Sequence, residues 1–119
     1  MTTKLILNHI KNDQNLKYLV GARIFRGRIP QNPRYPLIMY STEKDNENSL
    51  SGNDGVIHYE FAFELYGRDY EKLEEVAAKL KTALSTSSTF KSLCVSEADD
   101  DYQDDNKLYS IFMDFSIWF

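Results

Sequence analysis

Eleven consecutive residues, Val56 to Tyr66, alternate in character without a break. Ile57, Tyr59, Phe61, Phe63 and Leu65 fall on one side of an extended chain; His58, Glu60, Ala62, Glu64 and Tyr66 fall on the other. A strand repeats every two residues, so one face of this segment is to be buried and the other left wet. The closing segment alternates in the same way, with Tyr109, Ile111, Met113, Phe115, Ile117 and Phe119 opposed to Ser110, Phe112, Asp114, Ser116 and Trp118. Two half-apolar strands need a second apolar layer to cover them.

Helices supply that layer. Leu5, Ile6, Ile10, Leu16, Leu19 and Val20 recur at three- and four-residue spacings, which predicts an amphipathic helix in two pieces around Asn12-Asp13, ended by Gly21. A second stripe, Tyr70, Leu73, Val76, Ala77, Leu80 and Leu84, predicts a helix capped by Asp69 and terminated at Ser85–Thr89. Shorter strands are expected at Arg23–Ile29, Leu37–Ser41 and Leu93–Ser96. Pro30, Pro33 and Pro36 hold the first two of these apart in an extended, rigid loop. Residues 43–55 are almost wholly polar and read as a long mobile loop, and the acidic run from Glu97 to Asp105 reads as a solvated loop. The fold class is α+β, with two helices on one face of a mostly antiparallel sheet in the order α-β-β-β-α-β-β. At 119 residues the chain is expected to be one domain, 1–119.

The composition excludes several functions. The net charge of −4 argues against a globally basic nucleic-acid binder, and no helix is rich in basic residues. The single cysteine, Cys94, permits neither an internal disulfide framework nor a cysteine-based zinc site and fits a reducing compartment. No apolar run approaches the length of a membrane span or a signal peptide, so the expected location is the cytosol, and no membrane contact is expected. Phosphate-cradling glycine loops are missing, and no cofactor is implied. His9 and His58 are not at metal-ligand spacing, and Asp99 to Asp105 lack the ligand order of an EF-hand. His58 beside Glu60, with Asp114, is the one candidate acid–base set. Its simpler reading is a set of exposed strand positions. Cys94 reads as a small buried hydrophobe rather than a nucleophile.

Charge is segregated along the chain. Lys17, Arg23, Arg26, Arg28 and Arg34 lie between Gln14 and Thr42 with no acid among them, whereas Glu97, Asp99, Asp100, Asp101, Asp104 and Asp105 lie between Ser96 and Asn106 with no base. Two dissimilar complementary patches on one molecule meet head-to-tail, which closes into a ring when the rotation permits. Arginine suits such a contact because its planar fork grips carboxylates. Phosphate is the other partner those arginines would suit, with Phe25 and Tyr35 close enough in sequence to stack.

Several segments together resemble a known family. Leu19-Val20-Gly21-Ala22-Arg23-Ile24-Phe25, Ile29-Pro30-Gln31, Tyr35-Pro36-Leu37-Ile38-Met39-Tyr40, Phe63-Glu64-Leu65-Tyr66-Gly67 and its following helix, and Tyr109 to Phe115 are similar, in order, to the tail terminator (tail completion) proteins of long-tailed phages. The Pro-Gln…Tyr-Pro-hydrophobic stretch is the most specific of them. The resemblance implies a non-enzymatic assembly protein with no catalytic residue. Its members are small α+β domains that form a ring, expected to be a hexamer. The ring caps the tail tube protein, ends its polymerisation and meets the head connector, with DNA passing through the bore without sequence readout. The protein is then expected in the host cytoplasm during assembly and in the virion tail afterwards. On this reading Arg23, Arg26, Arg28, Arg34 and Tyr35 face a neighbouring subunit or the bore. Asn48, Ser49, Leu50, Asn53 and Asp54 belong to a loop that orders on contact with a partner, and Asp99, Asp100, Asp101, Asp104 and Asp105 form an acidic contact loop. The alternatives are a head-closure (neck) protein of the same particle, or a small α+β ligand-binding domain or enzyme.

Overall fold

A computed structural model describes residues 2–45, 58–103 and 108–119, with backbone alone for 2, 44, 45 and 99–103. The first helical region is split as its sequence predicts, into α1 (Thr2–Lys11) and α2 (Gln14–Val20). The Asp13 carboxylate accepts from the Leu16 amide at 3.0 Å and caps α2, and Gly21, at φ +58°, closes it through its N–H to Lys17 O. That φ is left-handed, where a Cβ is strained, which is why glycine ends the helix. The chain continues through β1 (Ile24–Arg26), β2 (Leu37–Asp45), β3 (His58–Gly67), α3 (Tyr70–Ser85), β4 (Lys91–Gln103) and β5 (Leu108–Trp118).

The five strands form one sheet in the order β1-β2-β3-β5-β4, antiparallel except for the β1–β2 pair. A parallel return needs a long connection. Here β1 is only three residues long, so the proline-rich loop suffices, and no crossover helix is required. Arg23 secures the junction: its Nε donates to Pro36 O at 2.9 Å and its Nη2 to Leu19 O at 3.2 Å.

Residues directly opposite across antiparallel strands share a face. Ile38 is opposite Leu65 and Leu65 opposite Ile111; Tyr40 is opposite Phe63 and Phe63 opposite Met113; Phe61 is opposite Phe115. These side chains are buried in one cluster with Ile6, Ile10, Leu16, Leu19 and Val20 of the first two helices and Leu73, Val76, Leu80 and Leu84 of α3. Rings tie the layers together. Phe63 stacks on Phe61 at 5.6 Å and meets the edge of Phe115 at 5.7 Å, and His9 stands edge-on to Phe90 at 5.4 Å. His9 Nε2 also donates to Ala83 O at 2.6 Å, fastening α1 to the end of α3. Asp69 caps α3 as expected, its carboxylate 3.3 Å from the Lys72 amide.

Three expectations need correction. The strand expected over Arg23–Ile29 stops at Arg26, because Gly27 turns away at φ +64°. β2 runs on through Glu43, Lys44 and Asp45, opposite Glu60, Tyr59 and His58, so the expected loop at 43–55 begins later. β4 extends to Gln103, and Asp99 and Asp100 are strand residues opposite Ile111 and Ser110 rather than loop. In each extension a long partner strand supplies the hydrogen bonds, overriding weak local propensity. Val56, Ile57 and the remainder of the loop lie outside the described residues.

Three outcomes follow from this packing. Phe63→Ala removes a ring from the centre of the core and is expected to cost about 3–5 kcal/mol in chemical denaturation. Arg23→Ala loses two bonds to backbone carbonyls and is expected to cost roughly 1–2 kcal/mol by the same measurement. Lys81 pairs with Glu97, and that bond raises the ammonium pKa above its ordinary 10.5. Its stabilising increment is therefore complete below pH 10.5 and fades as pH rises further. The pair is exposed, so Lys81→Met is expected to cost under about 1 kcal/mol near neutrality, a difference from wild type that shrinks in melts at higher pH.

Candidate interaction surfaces

The face of the sheet away from the helices carries most of the candidate acid–base residues. His58 is not the exposed strand residue its sequence suggests. Its imidazole is stacked flat on Trp118 at 4.9 Å with an interplanar angle of 6°. Glu60 Oε1 lies 3.2 Å from His58 Nε2 and accepts from Ser116 Oγ at 3.0 Å. Nucleophile activation needs the imidazole to receive the serine proton. Here the hydroxyl bonds to the carboxylate instead, and Ser116 is buried. Asp114 sits one row further along, opposite Ala62, where its Oδ2 accepts from Ser96 Oγ at 2.8 Å. Between them runs an open groove of about 440 Å³ lined by Ser41, Ala62 and Ser96 together with Glu43, Glu60 and Asp114. Cys94 lies half-buried against the core, and burial pushes its thiol pKa up, away from the thiolate that nucleophilic chemistry requires. No group of three or more metal-ligating side chains is assembled among the described residues.

The basic residues separate into three groups. Arg23 is half-buried and holds the Pro36 and Leu19 carbonyls. Arg26 and Arg28 are exposed at the end of β1 and just beyond it. Arg34 and Tyr35 turn the other way and join residues more than thirty positions later in the chain. Arg68 lies over the Tyr35 ring, 5.1 Å from its centroid, in cation–π contact. Arg34, Tyr35, Arg68 and Lys72, with Pro33, Pro36, Gly67 and Asp69, line a cleft of about 490 Å³. A side chain at Gly67 would press on Leu73 Cδ1 at 3.2 Å, so glycine there lets the end of β3 approach α3 and shapes the cleft floor. Among the described residues, the cleft is lined by three cations and by the carboxylate of Asp69, which caps α3. Sequence reasoning missed Arg68 and Lys72. They read as turn punctuation and a solvated helix position, and no local signal connects them with Arg34.

Acidic residues gather along β4, the edge strand. Glu97 pairs with Lys81 of α3, and Asp99 to Asp101 occupy the far half of β4, an edge strand. Asp104 and Asp105 lie outside the described residues, as do Asn48, Ser49, Leu50, Asn53 and Asp54. Leu37, Tyr66, Ser110 and Asp100 stand in one row across β2, β3, β5 and β4. The basic cleft, bounded by Pro36 at the start of β2 and Gly67 at the end of β3, and the acidic half of β4 are thus at the same end of the sheet, with β5 between them.

Comparisons with known proteins agree with this fold. No curated protein matches in sequence. The chain is similar in structure to a chain from the virion of a native gene transfer agent particle, with a TM-score of 0.68 at 12% identity, covering 95% of this chain and 90% of that one. The profile of the family described as tail completion protein gp17 matches residues 4–119. A match over nearly the whole length decides the matter: this chain belongs to the tail completion protein gp17 family, a structural component of phage tails and not an enzyme.

Proposed function

We propose that the protein assembles into a ring, six copies in the closed form, that caps the tail tube, ends its polymerisation and presents a surface to the head connector. DNA passes through the bore without sequence readout. The observation that carries this reading is family membership over residues 4–119, together with a basic cleft at Arg34, Arg68 and Lys72 that is separate from the acidic segment of edge strand β4. A head-to-tail ring needs such dissimilar faces, whereas a twofold dimer needs one self-complementary face. The exposed arginines Arg26 and Arg28 contact a neighbouring subunit or the bore. Asn48 to Asp54 order on the tube or on a neighbour, and assembly takes place in the host cytoplasm before the ring joins the virion tail.

Polymerising the cognate tube protein with and without this chain tests the reading. The expected result is shorter tubes bearing a ring at one end in electron micrographs. Tubes of unchanged length with no bound protein would overturn it, and binding to the connector but not to the tube would transfer the role to a neck protein. Reversing Arg26 and Arg28 to Glu is expected to leave thermal melting unchanged while weakening assembly, most clearly at low salt. Removing residues 48–54 is expected to cost little stability and most of the capping activity.

A further inference from the structure

We infer that the exposed side of α1 and α2 docks into the groove on the helix-free face of the sheet of a second copy of this chain. The inference rests on the assembly reading above and names the surfaces by which the copies join. Three observations carry it.

The first is where apolar surface is left uncovered. Among the described residues, four large apolar side chains are half or more exposed: Leu5 at 50%, Tyr18 at 88%, Leu93 at 58% and Val95 at 57%. They fall on two surfaces. Leu5 and Tyr18 belong to α1 and α2 and lie outside the buried stripe of Ile6, Ile10, Leu16, Leu19 and Val20. Val95 lines the groove, and Leu93 is two residues before it on β4, opposite Ser116. β4 is an edge strand, and exposed apolar residues on an edge invite a partner. Tyrosine is the kind of side chain that anchors such a contact, since it buries a large ring and keeps a hydroxyl for a polar neighbour.

The second is charge. Lys4 and Lys11, two turns apart on α1, and Lys17 on α2 are all exposed. The acid between the two helices, Asp13, is engaged as the cap of α2. The groove is lined by the exposed carboxylates Glu43, Glu60 and Asp114, and no lysine or arginine is among its described lining residues. Asp114 accepts from Ser96, and Glu60 accepts from Ser116 with His58 beside it. A hydroxyl partner leaves a carboxylate its charge, and a carboxylate has further acceptor sites for an ammonium group. Lysines around an exposed tyrosine therefore match carboxylates beside an apolar wall in both charge and polarity.

The third is placement. α1 and α2 are held by their buried stripes in one cluster with Phe61, Phe63 and Phe115. The groove opens between Ser41, Ala62 and Asp114, which alternate with those core residues along β2, β3 and β5 and so face the other way. The contact accordingly joins the helices of one copy to the sheet of the next. Each copy carries both surfaces, so every contact leaves one of each for a further copy, and the series closes into a ring when the rotation permits.

The test uses two variants of the full chain, K4E/K11E/K17E and E43K/D114K, in sedimentation equilibrium at low salt. Each alone is expected to lose about tenfold or more in self-association. An equal mixture is expected to regain it, because the two variants alternate: reversed helices meet a reversed groove, and the unchanged helices meet the unchanged groove. Tyr18→Ser alters no charge and is expected to lose about tenfold as well, with an unchanged melting curve by circular dichroism. Should a charge-reversed variant unfold, Tyr18→Ser and Leu5→Ser decide the matter by the same measurement. Unchanged association in folded variants overturns the inference, as does a loss that mixing fails to restore. Loss of binding to a short DNA duplex by K4E/K11E/K17E with self-association intact also overturns it and assigns the lysines to phosphate. Variants that self-associate and cap tubes as wild type does show this contact wrong while the assembly reading stands. A wild-type chain that self-associates through this contact yet leaves tube length unchanged supports the contact and overturns the capping reading alone.

Discussion

Burial of Phe61, Phe63 and Leu65 against the helices sets where everything else in the molecule lies. β3 is hydrogen-bonded on both sides, to β2 and to β5, and its odd-numbered side chains share one face with Ile38, Tyr40, Ile111, Met113 and Phe115. That face is covered by three helices whose own apolar residues join the same cluster. A one-residue slip of β3 would bring His58, Glu60 and Glu64 inside and expose the three core residues. Register, helix placement and the level of every loop therefore follow from one alternation, and the charged ends of the sheet inherit their positions from it.

The remaining surface is free of the core's demands, and its polarity is organised. Arginine and lysine gather around a cleft at the start of β2 and the end of β3, and the sheet ends in an acidic edge strand, β4. Glu97 and Lys81 do tie β4 to α3, but an exposed pair of this kind contributes little stability. The outer face holds a histidine, two carboxylates and serines in hydrogen-bonded contact, yet the serine–carboxylate–imidazole order is wrong for transferring a proton to the imidazole. The chemistry available there is recognition, in keeping with a family whose members build a particle.

Much of the architecture was legible because it rests on local periodicity. The split of the first helix at Asp13, the Asp69 cap, the apolar stripe of α3 and the two alternating strands all arise from contacts within a few residues, which sequence displays directly. The misread segments share a cause. Glu43–Asp45 and Asp99–Gln103 are polar and acidic, poor strand formers by local preference, and become strand because β3 and β5 extend beside them. His58 read as exposed for the same reason: Trp118, the ring that covers it, comes sixty residues later.

By itself, the sequence determined the two-layer α+β plan, the buried face of each long strand and the segregation of charge along the chain, since all three are properties of residue order and spacing. Tertiary structure alone decided which charges stand together. It drew Arg23 into the fold on the Pro36 and Leu19 carbonyls, brought Arg34 and Tyr35 beside Arg68 and Lys72, and set Asp100 level with them across the sheet. Those juxtapositions depend on strand order and register among segments far apart in the chain. Pairing between distant strands is fixed by how the whole apolar face closes, which no local pattern encodes.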